Sequence, residues 1–298
     1  MEDNKKFIIT CDSACDMTKE MAEILGVYVI PFEYNANING KEEIFLDCMN
    51  EKDHKEFYDN MRHGTIYKTS QINVDRYMEF FLKLAHFNLP ILHISLCNAL
   101  SNTIENARFV SEELKKSDSK MDIKVVDGKI ASLGLGLLVN KACALRKEGL
   151  DIDEVKAKIE ECADNMGVYY TTNTLTYFAR GGRLSKTASF IASALRINVI
   201  LDCDKNGGLR TIAKCHGRNK AKQYIINKIK DSAKDPKSQV LYVCASDCKD
   251  EATLFASQIV KEVGFKYYVL TSMGPIIGAH AGPGLLSVFY ETNNNIRN

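Results

Sequence analysis

The stretch "ILHISLCNALSNTIENARFVSEELKKSDSKMDIKVVD", residues 91–127, decides the fold. It opens on a short apolar run, Ile91 to Leu96, and passes through a polar turn. Leu100, Ile104, Ala107, Val110 and Leu114 then recur at helical spacing before a second apolar run, Ile123 to Asp127. Strand, helix and strand at these lengths predict neighbouring parallel strands joined by a helix. The same alternation continues on both sides. Upstream, "FIIT" (Phe7 to Thr10) reads as a buried strand, followed by a helix that Asp16 can cap, with Met17, Met21, Ile24 and Leu25 on one face and Gly26 as its stop. "VYVIPFEY" then begins another strand, and a long helix runs from about Ser132 to Glu148.

Beyond "EGLDIDE" the pattern changes. A helix over Val155 to Ala163 leads to "VYYTT", a glycine-containing "RGGRLS" and an apolar helix ending near Leu195. "INVILDC", "KNGG" and "LRTIAKC" follow as a hairpin, two apolar runs joined by a glycine turn. "VLYVCA" and "KYYVLT" flank a helix from about Asp250 to Val263. The expected fold is therefore α/β in two domains. Residues 1–150 should form a mostly parallel sheet with helices on both faces, and residues 151–298 a mixed-sheet α/β domain, with a ligand between them.

Composition narrows the function. A chain of 298 residues can bury two ordinary cores without staples. Lys plus Arg number 39 against 38 Asp plus Glu, which leaves no field of one sign for a nucleic acid or an anionic membrane. No apolar run reaches the length of a signal peptide or a membrane span, so a cytoplasmic location is expected. The ten cysteines then read as thiols, most of them small buried residues. Cys11 with Cys15 and Cys244 with Cys248 share a spacing of four, not the two-residue gap of a zinc knuckle, and no histidine sits at zinc spacing from them, so no metal is expected. There is neither a Walker loop nor a dinucleotide fingerprint, so no cofactor is expected.

An open α/β sheet presents its ligands at the carboxyl ends of its strands. The loops there, "TCDSACD", "KTSQ", "CNALSNT", "RGGRLS" and "GAHAGPG", are rich in hydroxyls and glycine. Several precede helices, whose exposed N–H groups favour anions. Together they point to an oxyanion site between the two halves. Singly, each has a plainer reading: Thr69 and Ser70 as caps of a helix beginning near Val74, Gly181 and Gly182 as a helix-ending turn, His280 as a structural histidine.

The ordered set of segments "ITCDSACDM", "YKTSQ", "ALSNTIENA", "LTYFARGGRLS", "KNGGLRTIAKCHGRNKA" and "GAHAGPGLLSVFY" resembles the DegV family from end to end. These are bacterial fatty-acid-binding proteins that include the acyl-binding subunits of fatty acid kinase. The resemblance implies a long-chain acyl group held between two domains. In kinase-coupled members the carboxylate is presented to a separate ATP-using subunit, becomes an acyl phosphate and enters phospholipid synthesis; the binding subunit has no catalytic residue. Thr69 matches the family's carboxylate-binding threonine and His280 its head-group histidine. Ser13, Ser70, Gly278 and Ala279 fall in the surrounding head-group loops. Cys97 and Asn98 stand where the family usually has a serine pair, and the Asn98 amide can replace the missing hydroxyl. Asn102 stands where the family has glycine, and His216 where an arginine is common. Arg180, Gly181, Gly182 and Arg183 are candidates for phosphate or partner contacts.

A buried methylene contributes about 0.8 kcal/mol, so a long tail grosses on the order of 10 kcal/mol, whereas one hydrogen bond to a charged group nets about 1.5–3 kcal/mol. Affinity should come from the tail and orientation from the head. Phe32, Ile191, Leu195 and Phe289 are candidate tail contacts. Two other function classes compete. One is a thiol-dependent enzyme using Cys97 with His280 as base; the other is a binding module for a different small anionic metabolite.

Overall fold

The computed structural model describes residues 6–184, 197–293 and 296–297. β1 (Ile8–Asp12), β2 (Tyr28–Ile30), β6 (Ile91–Ser95) and β7 (Ile123–Asp127) form a wholly parallel sheet in the order β2-β1-β6-β7. Its strands are apolar on both sides because both sides are covered. Ile8, Ile91 and Ile123 meet Tyr77 and Phe81 of α3 (Val74–Ala85) and Ala107 and Val110 of α4 (Thr103–Ser117). Their neighbours Ile9, Cys11, Leu92 and Ile94 face the opposite way, toward α5 (Leu133–Lys147). α1 (Lys19–Leu25) contributes Ala22 to that second layer.

Three local expectations are corrected. Thr18, not Asp16, caps α1, accepting from the Met21 amide at 3.2 Å. Asp16 has a left-handed backbone (φ 49°) that turns its carboxyl inward. Ile24 is 84% exposed and does not share the buried face of Met17. "VYVIPFEY" is not one strand: Pro31 has no amide to donate, and the chain divides there between two sheets. Beyond it, β3 (Glu33–Ile38) pairs antiparallel with β4 (Lys41–Leu46) and β5 (Tyr67–Ser70), a small third sheet that the sequence reading did not anticipate. Phe57 and Tyr58 of α2 (Glu51–Arg62) pack beneath it with Tyr67.

The second half carries a mixed six-stranded sheet of β8 (Met166–Thr172), β9 (Ile197–Cys203), β10 (Leu209–His216), β11 (Val240–Ala245), β12 (Tyr267–Ser272) and β13 (Leu286–Glu291), in the order β10-β9-β8-β13-β11-β12. β11 and β12 are parallel and the other pairings antiparallel, including the expected hairpin β9–β10. α8 (Arg218–Ser232) and α9 (Lys249–Val263) cover one face through Ile225, Ile229, Phe255 and Ile259.

The other face rests on α5, which therefore lies between the two large sheets and touches β1 and β6 on one side and β11 and β13 on the other. α6 (Ile152–Asp164) packs on α5 and β7, so the apolar core passes continuously across residue 150. Close approach on both sides of α5 requires glycine. A Cβ on Gly134 would stand 2.6 Å from both Ile130 Cγ1 and Phe289 Cδ1, and both side chains are completely buried. Gly134→Ala gains about 1 kcal/mol of helix propensity but overpacks the helix by about 1–3 kcal/mol, and overpacking should win because neither neighbour has room to retreat. A lower denaturant midpoint at unchanged slope is the expected result; an unchanged or raised midpoint would show that the layers yield.

Candidate functional site

At the carboxyl ends of β6 and β8, where loops from both halves meet, lies a cavity of about 460 Å³. That volume is within the usual range of small-molecule pockets. Its walls include Phe32, Leu96, Leu100, Ala131 and Ser132 from the first half and Tyr170, Phe178, Leu209, Ile276 and Leu285 from the second. Polar side chains gather at Thr69, Ser70, Gln71, Asn98 and His280. Among the described lining residues Arg183 is the one charged side chain.

Thr69 and His280, 211 residues apart, are brought into direct contact: Thr69 Oγ1 lies 2.8 Å from His280 Nε2. β5 supplies Thr69, and α10 (Pro275–Ala281), which packs against β5, supplies His280 from its last turn. The caps expected of Thr69 and Ser70 are absent, since both lie in β5; the Asn73 side chain caps α3 instead. His280 Nδ1 is buried with no hydrogen-bond partner among the described residues. A proton there would be an unmade donor. The proton therefore belongs on Nε2, which donates to Thr69 Oγ1 and leaves the threonine hydrogen for a ligand oxygen.

Gly181 closes the space behind the ring, for a Cβ there would fall 2.1 Å from His280 Nδ1. It ends α7 (Thr176–Gly181), and Gly182 (φ 70°) is the helix-ending turn of the plainer reading. Arg183 lies beyond it, donating from Nη1 to the Gly181 carbonyl at 2.6 Å and from Nε to the Leu100 carbonyl at 3.3 Å. Burial opposes its charge, and no acidic residue lines the cavity among those described. Arg180 is exposed and stands 5.7 Å over the Tyr177 ring.

Burial, and then the Arg183 charge, push the His280 pKa down to about 4, so the ring is neutral near pH 7 and acts as a donor, not as a countercharge. Its folded pKa lies below the ordinary 6.5, so the stability it contributes is complete above that value and is lost as the pH falls toward 4. An anionic ligand at Thr69 would favour the imidazolium. In an NMR titration the His280 ring should protonate at clearly higher pH with ligand than without; an unmoved midpoint would place the anion elsewhere.

The remaining expected residues are not all gathered here. Asn98 lines the cavity, its amide 3.2 Å from Glu105 Oε1. Cys97 does not line it: the Asp204–Gly208 hairpin turn covers the thiol, whose Sγ points at the Gly207 carbonyl at 3.7 Å. Burial raises that thiol pKa well above its usual value, which disfavours the thiolate an enzyme would need. Ser13 Oγ accepts from the Phe32 amide at 3.0 Å and does not itself line the cavity. Gly278 lies against Tyr58 and Phe57, and Ala279 belongs to the same aromatic cluster. Phe32 lines the cavity, Phe289 is core beneath α5, and Ile191 and Leu195 lie outside the described residues.

The reading of loops alone missed Arg218. It donates to Glu251, to the Thr171 carbonyl and, at 2.8 Å, to the Gly284 carbonyl, and so anchors the turn that follows α10. No cluster of metal-ligating side chains occurs among the described residues, and no helix among them is long and apolar enough to cross a membrane.

Parallel and mixed sheets thus enclose a cavity that carries a hydroxyl–imidazole pair, in an α/β fold. The chain belongs to the DegV family: residues 6–293 match the family model described as "Uncharacterised protein, DegV family". A DegV domain-containing protein of Clostridium perfringens is 34% identical over 287 residues, covering 96% of this chain and 97% of that one. Among solved structures, a DegV lipid-binding protein from Thermotoga maritima superposes with a TM-score of 0.84 at 25% identity, covering 97% of this chain and 99% of its own. A second Thermotoga maritima protein, whose structure reveals fatty acid binding function, gives 0.83 at 25% identity, with 97% and 100% covered. A DegV family protein from Thermus thermophilus shares the fold at a TM-score of 0.85 and 23% identity, with 96% and 99% covered.

Proposed function

We propose that this protein is a cytoplasmic carrier that binds a long-chain fatty acid between residues 1–150 and 151–298, read as its two domains. It presents the carboxylate to a separate ATP-dependent fatty acid kinase subunit, which forms the acyl phosphate. The observation that carries this reading is the Thr69–His280 pair on the wall of a cavity that is also lined by Phe32, Leu96, Phe178, Ile276 and Leu285. A carboxylate placed there accepts from the Thr69 hydroxyl, while the neutral His280 donates to Thr69 from behind and holds its hydrogen pointed at the ligand. The Arg183 guanidinium supplies the nearby positive charge, and the Asn98 amide is a further donor at the same rim. The tail runs along Phe32, Leu96, Phe178, Ile276 and Leu285, where each buried methylene contributes about 0.8 kcal/mol.

The two Thermotoga maritima proteins, one lipid-binding and one fatty-acid-binding, support this ligand class. The chain itself supplies no catalytic residue in the proposal, and the chemistry falls to the partner. Mass spectrometry of the purified protein, native and then denatured with solvent extraction, tests it. A stoichiometric fatty acid is expected. No co-purifying lipid, together with no uptake from a panel of fatty acids, would favour the smaller anionic metabolite.

A further inference from the structure

Asp16 is a buried acid outside the cavity, yet it joins two of the cavity's walls. The Gly274 amide, at the start of α10, donates to its Oδ1 at 2.8 Å. Its Oδ2 lies 2.5 Å from the hydroxyl of Ser132, a lining residue at the head of α5. Cys244 Sγ of β11 approaches the same Oδ2 at 3.6 Å. α10 in turn carries Ile276, Ile277 and His280 into the cavity. One carboxyl thus spans the joint between α5 and the helix that holds the imidazole.

The surroundings select its protonation state. Among the described residues, the titratable groups around the joint are Asp47, Glu51, His54, Tyr58 and Cys244, with no lysine or arginine. A Cβ on Gly274 would have Asp16 Oδ1, Asp47 Oδ2 and His54 Cε1 at 3.1, 3.6 and 3.7 Å, so the two carboxyls converge on one glycine. Asp47 Oδ2 and His54 Nε2 are buried there without hydrogen-bond partners among the described residues. Two uncompensated negative charges at such a place would repel with little water to screen them. Burial first, with a smaller contribution from Asp47, accordingly raises the Asp16 pKa to about 8, against the lowering effect of its hydrogen bonds.

Building on the fatty-acid reading above, we infer that Asp16 is a positioning residue that works as an uncharged acid. Its carboxyl holds the Gly274 amide on one oxygen and the Ser132 hydroxyl on the other, and so fixes the helix bearing His280 against the opposite cavity wall. Ionisation sets a second negative charge beside the buried Asp47 with no cation among the described residues to offset it, which loosens α10 and weakens ligand binding. Asparagine reproduces the uncharged pattern, an acceptor on one atom and a donor on the other, and tolerates the left-handed backbone.

The test is binding of hexadecanoic acid to the full chain and to Asp16→Asn by equilibrium dialysis at about pH 7 and about pH 9. Loss of one required proton with a pKa near 8 predicts about tenfold weaker binding at the higher pH in the unmodified protein. Asp16→Asn should lack that loss, and titration of the ligand itself affects both proteins alike. Parallel profiles, or a large loss in Asp16→Asn already at the lower pH, would overturn the inference. If neither protein binds the acid at either pH, the ligand proposal fails, and the positioning claim is read in ligand-free protein. Hydrogen exchange at the Gly274 amide should then accelerate with pH in the unmodified chain beyond the intrinsic increase seen in Asp16→Asn, and equal acceleration would refute it. Ser132→Ala removes the second anchor and should also speed exchange at Gly274.

Discussion

Thr69→Ala and His280→Ala should each weaken binding of a long-chain fatty acid by about 10- to 150-fold, the equivalent of losing one hydrogen bond to a charged group. The two losses should not add. His280 acts on the ligand through Thr69, 2.8 Å away, so a ring without the threonine has no oxygen to orient. The double variant should therefore lose less than the sum of the single losses. Retention should not vanish, because the apolar walls still take the tail. Thermal stability should also fall in His280→Ala, which loses the Nε2 bond to Thr69 and the packing of a largely buried ring. Equilibrium binding with the two single variants and the double variant completes the cycle. Unaltered affinity in both single variants would remove the head group from this end of the cavity.

Gly282→Ala should be the more damaging change to the protein as a whole. Gly282 follows α10 with φ 72° and ψ 171°, a region open only to glycine. A Cβ there would lie 2.0 Å from Tyr177 Cδ2 and 2.5 Å from Cγ, so the ring cannot escape by moving its tip. Backbone strain and overpacking together cost about 3 kcal/mol or more. The strain falls where the Gly282 amide closes α10 on the Gly278 carbonyl and the Gly282 carbonyl accepts from Ser246. Stability and ligand affinity should fall together, because the disturbed turn directly follows His280. Chemical denaturation checks the first and dialysis the second; a variant as stable as the parent would mean that Tyr177 moves freely.

The alternation around residues 91–127 was legible because helical and strand periods differ, and the strands covered on both sides showed as short apolar runs. Ile91–Ser95 and Ile123–Asp127 match their sequence-based limits closely. The antiparallel sheet of β3, β4 and β5 was hidden because its outer strand is mostly exposed and carries no clean alternation. The head-group pair was legible only as two loops with unusual composition. Their juxtaposition depends on α10 packing against β5, a contact between distant parts of the chain. Cys97 misled for a similar reason: its place after β6 suggests access to solvent, but the β9–β10 turn arrives from more than a hundred residues away and covers it. Asp16 looked like a cap because caps follow strands, and nothing local reveals that its true partners are Ser132 and Gly274.

The place of α5 between the two sheets also bears on the order in which the chain is made. Its contacts with β1 and β6 involve segments already synthesised, whereas those with β11 and β13 involve strands that end at Ala245 and Glu291. While the chain is emerging, the side of α5 around Gly134 has no Phe289 to meet. The first half is thus born with one apolar layer uncovered, and its core is completed only once β13 has been made. Emergence of β13, not completion of the first sheet, is the moment at which this core can close.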